Sequence, residues 1–194
     1  MMRRIWMAGI FGLTLAAAAG AHAQSVVNGG FETGDLTGWT TGGGGNAGVD
    51  ISFPKDGSYN AFISSDFATG TVPTTLSQII HGLTPGSEYE VDFFVASLDE
   101  DPASTLDASM AGASAPQTTA DTIPAGSYLP VSFDIFPTLA DETLQFTAAD
   151  DAGNFYLDDV SITPVNSTAI PEPTPLLILA SAVATLATLR RKQA

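Results

Sequence analysis

Apolar and polar residues alternate with a period of two in one short stretch after another, and this constrains the fold more than any other feature of the chain. Val49-Asp50-Ile51-Ser52-Phe53, Tyr89-Glu90-Val91-Asp92-Phe93 and Val131-Ser132-Phe133-Asp134-Ile135 alternate cleanly. Tyr59 to Ser64, Leu76 to Ile80, Leu144 to Phe146 and Tyr156 to Ile162 have the same β-branched and aromatic character. Successive side chains of a strand point to opposite faces, so such segments bury one face and wet the other. Each is bounded by turn residues, as at Lys55-Asp56-Gly57 and Leu83-Thr84-Pro85-Gly86. No window between Gln24 and Ile170 carries an apolar stripe of helical period. The pattern predicts an all-β domain, an antiparallel β-sandwich or barrel. Within it, Gly42 to Gly45 reads as a flexible loop. Leu106 to Met110 reads as a weak edge strand in the apolar-poor stretch Ala103 to Ile123.

The two ends differ from the body. Arg3 and Arg4 precede an apolar run from Ile5 to Gly20, and Ala21-His22-Ala23 offers small residues at a cleavage position. This order predicts a signal peptide over residues 1–23, cut by signal peptidase between Ala23 and Gln24; an uncleaved anchor helix is the alternative. At the other end, Pro171-Glu172-Pro173 is followed by the uncharged stretch Leu176 to Leu189 and then by Arg190-Arg191-Lys192. Positive charge stays on the cytoplasmic side, so this segment would hold the body outside. Residues 164–170 read as a Pro/Thr/Ser linker. The tripeptide, apolar stretch and terminal basic cluster, in that order, resemble the PEP-CTERM sorting signal of Gram-negative bacteria. The resemblance covers residues 171–194. It implies an exosortase that removes the tail near Pro171, a transient membrane anchor with a helix at each end of the chain, a final place at the cell surface or outside, and hosts that make exopolysaccharide. A plain C-terminal anchor is the alternative.

Charge then narrows the partners. Twenty of the 21 acidic residues lie between Gln24 and Ile170, where Lys55 is the only Lys or Arg. Such a surface repels nucleic acid and anionic lipid, which excludes both as partners. The chain has no cysteine, so a body of about 147 residues must hold together by its core or by something other than disulfides.

Three ordered stretches carry a second resemblance. They are Asn28-Gly29-Gly30-Phe31-Glu32 with Gly38-Trp39, then Leu76-Ser77-Gln78 with Gly82 to Gly86 and Tyr89 to Ala96, and finally Phe155 to Ile162. In this order they resemble a jelly-roll carbohydrate-binding module of the galactose-binding-like fold over nearly all of Val26 to Ile162, which implies a single antiparallel β-sandwich of jelly-roll type for the domain at residues 24–163. The resemblance implies one structural calcium where the first and last strands meet. Glu32 and Asp158 or Asp159 would supply carboxylates, with backbone carbonyls near Asn28 and Asp56-Gly57. Were Tyr156, Asp158, Val160 and Ile162 on one face, Asp158 would point where the core residues point and would need a partner. The alternative is that Asp158 lies at a rim or caps a loop amide.

Sugar rings stack on aromatic faces. Trp39 follows the first motif and reads as core, and Tyr89 reads as buried by its alternation. Tyr59 and Tyr128, at strand ends, are the ligand candidates, with Phe67 behind them. For catalysis there is little: His81 reads as an exposed strand-end residue, and neither a nucleophile elbow nor a zinc cluster is present. Any two of so many carboxylates could pair for glycoside hydrolysis, but abundance is no argument for it. The sequence therefore predicts a non-enzymatic, exported surface or matrix protein associated with exopolysaccharide. A lectin-like module with a defined glycan is the first alternative and a glycoside hydrolase the second.

Overall fold

A computed structural model describes residues 25–64, 72–98, 101–116, 118–124, 126–149 and 153–165. The signal peptide with its Ala23–Gln24 junction, Phe67, most of the linker and the whole segment from Pro171, Glu172 and Pro173 to Arg190, Arg191 and Lys192 lie outside the described residues. Among the described residues, no helix is long and apolar enough to cross a membrane.

Among the described residues the strands are β1 (Thr40–Gly43), β2 (Asn46–Asp50), β3 (Asn60–Ser64), β4 (Thr74–Ile80), β5 (Tyr89–Ser97), β6 (Thr105–Met110), β7 (Ala113–Ser114), β8 (Thr118–Thr119), β9 (Leu129–Ile135), β10 (Glu142–Ala149) and β11 (Phe155–Pro164), with a 3-10 turn at Ala120–Thr122. They form two antiparallel sheets. One is six-stranded, in the order β1-β4-β10-β6-β7 with β8 also on β6; the other is five-stranded, in the order β2-β3-β11-β5-β9. The expected sandwich is therefore what the chain forms.

The alternation does its work in both sheets. In β5, Tyr89, Val91, Phe93 and Val95 are buried while Glu90, Asp92 and Phe94 are half-buried on the other side. In β4, Leu76 and Ile80 enter the core and Thr75, Ser77 and Ile79 face away. Phe93 of one sheet meets Phe146 of the other edge-on, with ring centroids 5.0 Å apart. Trp39 packs between Phe31 at 5.6 Å and Phe146 at 6.0 Å, and its indole N–H donates to the Asn28 carbonyl at 3.2 Å. Trp39 is a core residue, as the sequence predicts. The buried amide of Gln78 holds the chain start against β4: it accepts from the Val27 N–H at 2.7 Å and donates to the Val27 carbonyl at 2.9 Å.

Three expectations are corrected. Gly42 and Gly43 are strand, not loop: they pair with Thr75 and Thr74 of β4. Gly43 has φ 90° and lies so close to the Pro73 carbonyl that a Cβ would stand 1.9 Å from its oxygen, so only glycine fits. Leu106 to Met110 is not an edge strand, because β10 flanks it on one side and β7 and β8 on the other. β2 begins at Asn46 and ends at Asp50, earlier than the alternating stretch Val49 to Phe53 suggests. The Asp50 carboxylate accepts from the Ile51 and Ser52 amides. That local capping turns the chain away and leaves Ile51 exposed.

Phe146 is fully buried at the meeting point of Trp39 and Phe93. We expect Phe146→Ala to lower the unfolding free energy by about 3–5 kcal/mol, read from urea denaturation. A loss below about 1 kcal/mol would mean this contact does not join the sheets.

Candidate functional site

A sandwich has two outer faces, and here they differ in both access and chemistry. The difference begins in β11. Asp158 pairs with Phe94 of β5, and the next register pair is Ser161 with Asp92, so Asp159 and Val160 together stand opposite the single residue Phe93, a bulge of one extra residue. Asp159 takes a positive φ of 49°. Before the bulge Phe155 and Leu157 face the core; after it Val160 and Ile162 do. Tyr156 and Asp158 are thereby left on the outer side. The idea that Asp158 shares a face with Val160 and Ile162 is corrected: the extra residue switches the parity of the strand.

The segment 51–59 folds over this outer side. Phe53 stacks on Tyr128 at 5.4 Å and 13°, and meets Tyr156 edge-on at 5.7 Å. The Tyr128 hydroxyl donates to the Phe53 carbonyl at 2.7 Å. Burial pushes the Tyr128 phenol up from its ordinary pKa, with the nearby Asp158 charge adding to the shift. The Lys55 ammonium lies 3.8 Å from the Phe94 ring centre and 2.6 Å from the Asp159 carboxylate, which raises its pKa. Tyr59 is half-buried, with its ring against Gly34. The two candidate ligand tyrosines thus have packing roles in the structure, and the Tyr128 hydroxyl is already engaged.

The carboxylates assigned to calcium do gather. A Cβ on Gly30 would stand within 4 Å of Asp158, Asp159 and Glu32 atoms. Their oxygens, however, face donors. Asp158, 1% exposed, accepts from the amides of Lys55 at 2.9 Å, Asp56 at 3.4 Å and Asp159 at 2.8 Å. Burial raises its pKa, and those amides act against the rise. Glu32 accepts from the Ser58 amide at 2.9 Å and the Tyr59 amide at 3.0 Å. The Asn28 carbonyl takes the Trp39 indole and the Phe31 amide. Among the described residues, no group of three or more His, Cys, Asp or Glu side chains is placed to hold a metal ion. The residues present do not form a calcium cage.

The outer face of the six-stranded sheet is built otherwise. The register aligns Thr40, Ser77, Gln145, Ser109 and Ser114 in one row across five strands. Thr75, Thr147 and Asp107 form the next row, and Ile79 and Thr143 another. Asp107 is the one charged side chain on this face among the described strand residues, whereas Glu90, Asp92, Asp134 and Asp158 lie on the outer side of the other sheet. A recess of about 340 Å³ opens at one end, lined by Ser109, Gly112, Ser114, Thr143 and Gln145. Sequence reasoning looked for aromatic platforms and missed this surface. Its signal was present as Thr75, Ser77, Thr143, Gln145 and Thr147, the polar half of the alternation. His81 is exposed, 3.1 Å from Asp141, and forms no part of either face.

Several carbohydrate-binding modules share the fold. The family 22 xylan-binding module of Paenibacillus barcinonensis is 16% identical, with TM-score 0.54, covering 78% of this chain and 100% of that one. A family 61 module solved with β-1,4-galactotriose is 14% identical, with TM-score 0.54, covering 71% and 96%. The enzymatically active domain of a bacteriophage CBA120 tailspike is 17% identical, with TM-score 0.55, covering 73% of this chain but only 21% of that one. At these identities the likeness shows the fold alone. No curated protein sequence matches. A family profile described as a carbohydrate binding domain matches residues 23–149, well over half of the chain, and the chain accordingly belongs to the carbohydrate binding domain family.

Proposed function

We propose that this domain is a non-catalytic carbohydrate-binding module that takes a neutral glycan on the outer face of its six-stranded sheet, and that it works outside the cell. Family membership over residues 23–149 supports the ligand class. The observation that carries the choice of face is the row Thr40, Ser77, Gln145, Ser109 and Ser114 on an open, almost uncharged surface. Hydroxyl and amide groups both donate and accept, as sugar hydroxyls do. The Gln145 amide donates to the Thr147 hydroxyl at 3.2 Å, which orients its carbonyl oxygen for another donor. Each hydrogen bond is worth about 1 kcal/mol net, so useful affinity needs a ligand that spans several rows. An extended polysaccharide satisfies that better than a single sugar. No Lys or Arg faces out among the described strand residues of this sheet, so a polyanionic glycan would meet only repulsion. Exopolysaccharide is the partner that fits.

The two ends complete the proposal. Signal peptidase releases the N-terminus at Gln24, and an exosortase removes the tail near Pro171. The support is sequence order alone, the same order that makes the body acidic and nearly lysine-free.

Two outcomes test this. In affinity electrophoresis against neutral and anionic polysaccharides, retardation should occur with a neutral one. Gln145→Ala should weaken it about fivefold and Tyr128→Phe should leave it unchanged. The reverse pattern would move the glycan to the other sheet. Mass spectrometry of the protein recovered from outside the cell should find Gln24 at the start and no residue beyond the Pro171 region. An intact tail ending in Ala194 would remove the sorting step.

A further inference from the structure

We infer that the corner joining the chain start to β11 is a calcium-free latch, in which backbone amides and Lys55 occupy the carboxylates that a cation would otherwise take. The donors are specific. Five N–H groups, those of Lys55, Asp56, Ser58, Tyr59 and Asp159, point at Asp158 and Glu32. The Lys55 ammonium pairs with Asp159. A calcium ion needs six to eight oxygens in a shell of about 2.3–2.6 Å. Here it would face the positive ends of five N–H dipoles and a full ammonium charge. Asn60 Oδ1 is buried without a hydrogen-bond partner among the described residues, but one neutral acceptor is far short of a shell.

The latch also has a mechanical consequence. Glu32 belongs to the first turn, Lys55 to Tyr59 to the β2–β3 connection, and Asp158 and Asp159 to the last strand. Their hydrogen bonds span up to 104 residues of sequence. They close three chain-distant segments on one another, and Gly57 is packed so tightly on Glu32 that a Cβ would stand 2.3 Å from its Oε1. A surface protein built this way keeps its shape where chelating or uronate-rich material removes calcium. Its hold on a glycan, which rests on the function proposed above, would be equally insensitive to chelation.

Asp158 separates the two designs. As an amide acceptor it is replaced only in part by Asn, whose single carbonyl oxygen keeps the Lys55 and Asp56 N–H groups while its NH2 meets the Asp159 N–H; as a calcium ligand it cannot be neutralised without loss of the metal. The test uses the secreted protein at neutral pH in EDTA and in millimolar calcium chloride. We expect melting temperatures within about 1 °C of each other and no saturable calcium uptake by titration calorimetry. We expect Asp158→Ala to melt about 4–8 °C below the native protein and Asp158→Asn to melt between the two, each by the same amount in both buffers. Saturable calcium uptake accompanied by a higher melting temperature, lost in Asp158→Asn, would overturn the inference. The calcium arm alone decides the matter if Asp158→Ala does not fold. Glycan retardation should be equal in both buffers. Retardation absent from both would count against the proposed ligand and leave the latch standing, whereas retardation lost only in EDTA would overturn the latch.

Discussion

The bulge in β11 is the constraint on which the rest of the domain turns. The strand side-chain period is two, so one inserted residue moves everything after it to the opposite face. Without Asp159, either Phe155 and Leu157 or Val160 and Ile162 would leave the core. With it, all four are buried, and the freed Val160 N–H bonds the Gly29 carbonyl at 2.9 Å. That bond draws the Asn28-Gly29-Gly30 turn against the strand. A Cβ on Gly29 would stand 2.0 Å from the Val160 oxygen, which explains a glycine there. Phe31 then enters the core beside Trp39, and Glu32 reaches the segment that covers the five-stranded sheet.

From this follows the inequality of the two outer faces. The five-stranded sheet is roofed by the segment 51–59, its aromatic rings stacked on one another and its carboxylates met by amides. Among the described residues, the six-stranded sheet has no such roof over Ser77, Gln145 and Ser109. Aromatic residues and charges are spent on the closed face, while hydroxyls and amides are displayed on the open one. A shared fold alone would not choose between them; the difference in packing is what supports the proposed face.

Much of this was legible in the sequence. Strands β3, β4, β5, β9, β10 and β11 each follow a stretch of alternating or β-branched residues, and the burial of Trp39 and Tyr89 follows from their positions. Period and turn chemistry led as far as a β-sandwich or barrel, and the resemblance to a carbohydrate-binding module narrowed that to a jelly roll. The parts that escaped depend on contacts between distant segments. Gly42 and Gly43 carry no strand propensity and pair only because β4 is beside them. The Asp159 bulge cannot be seen in Phe155 to Ile162, where a regular strand and a bulged one read alike. The calcium expectation came from the family resemblance carried onto Glu32, Asp158 and Asp159, and what meets the Glu32 and Asp158 carboxylates is backbone N–H, which no sequence displays. The open polar face escaped because serine and threonine on the wet side of a strand are ordinary until the register lines them up.

The proposed glycan face can be tested directly by recording amide and side-chain NMR shifts of the protein during titration with a soluble neutral oligosaccharide. We expect the perturbed signals to cluster at Thr75, Ser77, Ser109, Gln145 and Thr147. Perturbation confined to Phe53, Tyr59, Tyr128 and Tyr156 would contradict the assignment and return the binding surface to the roofed sheet.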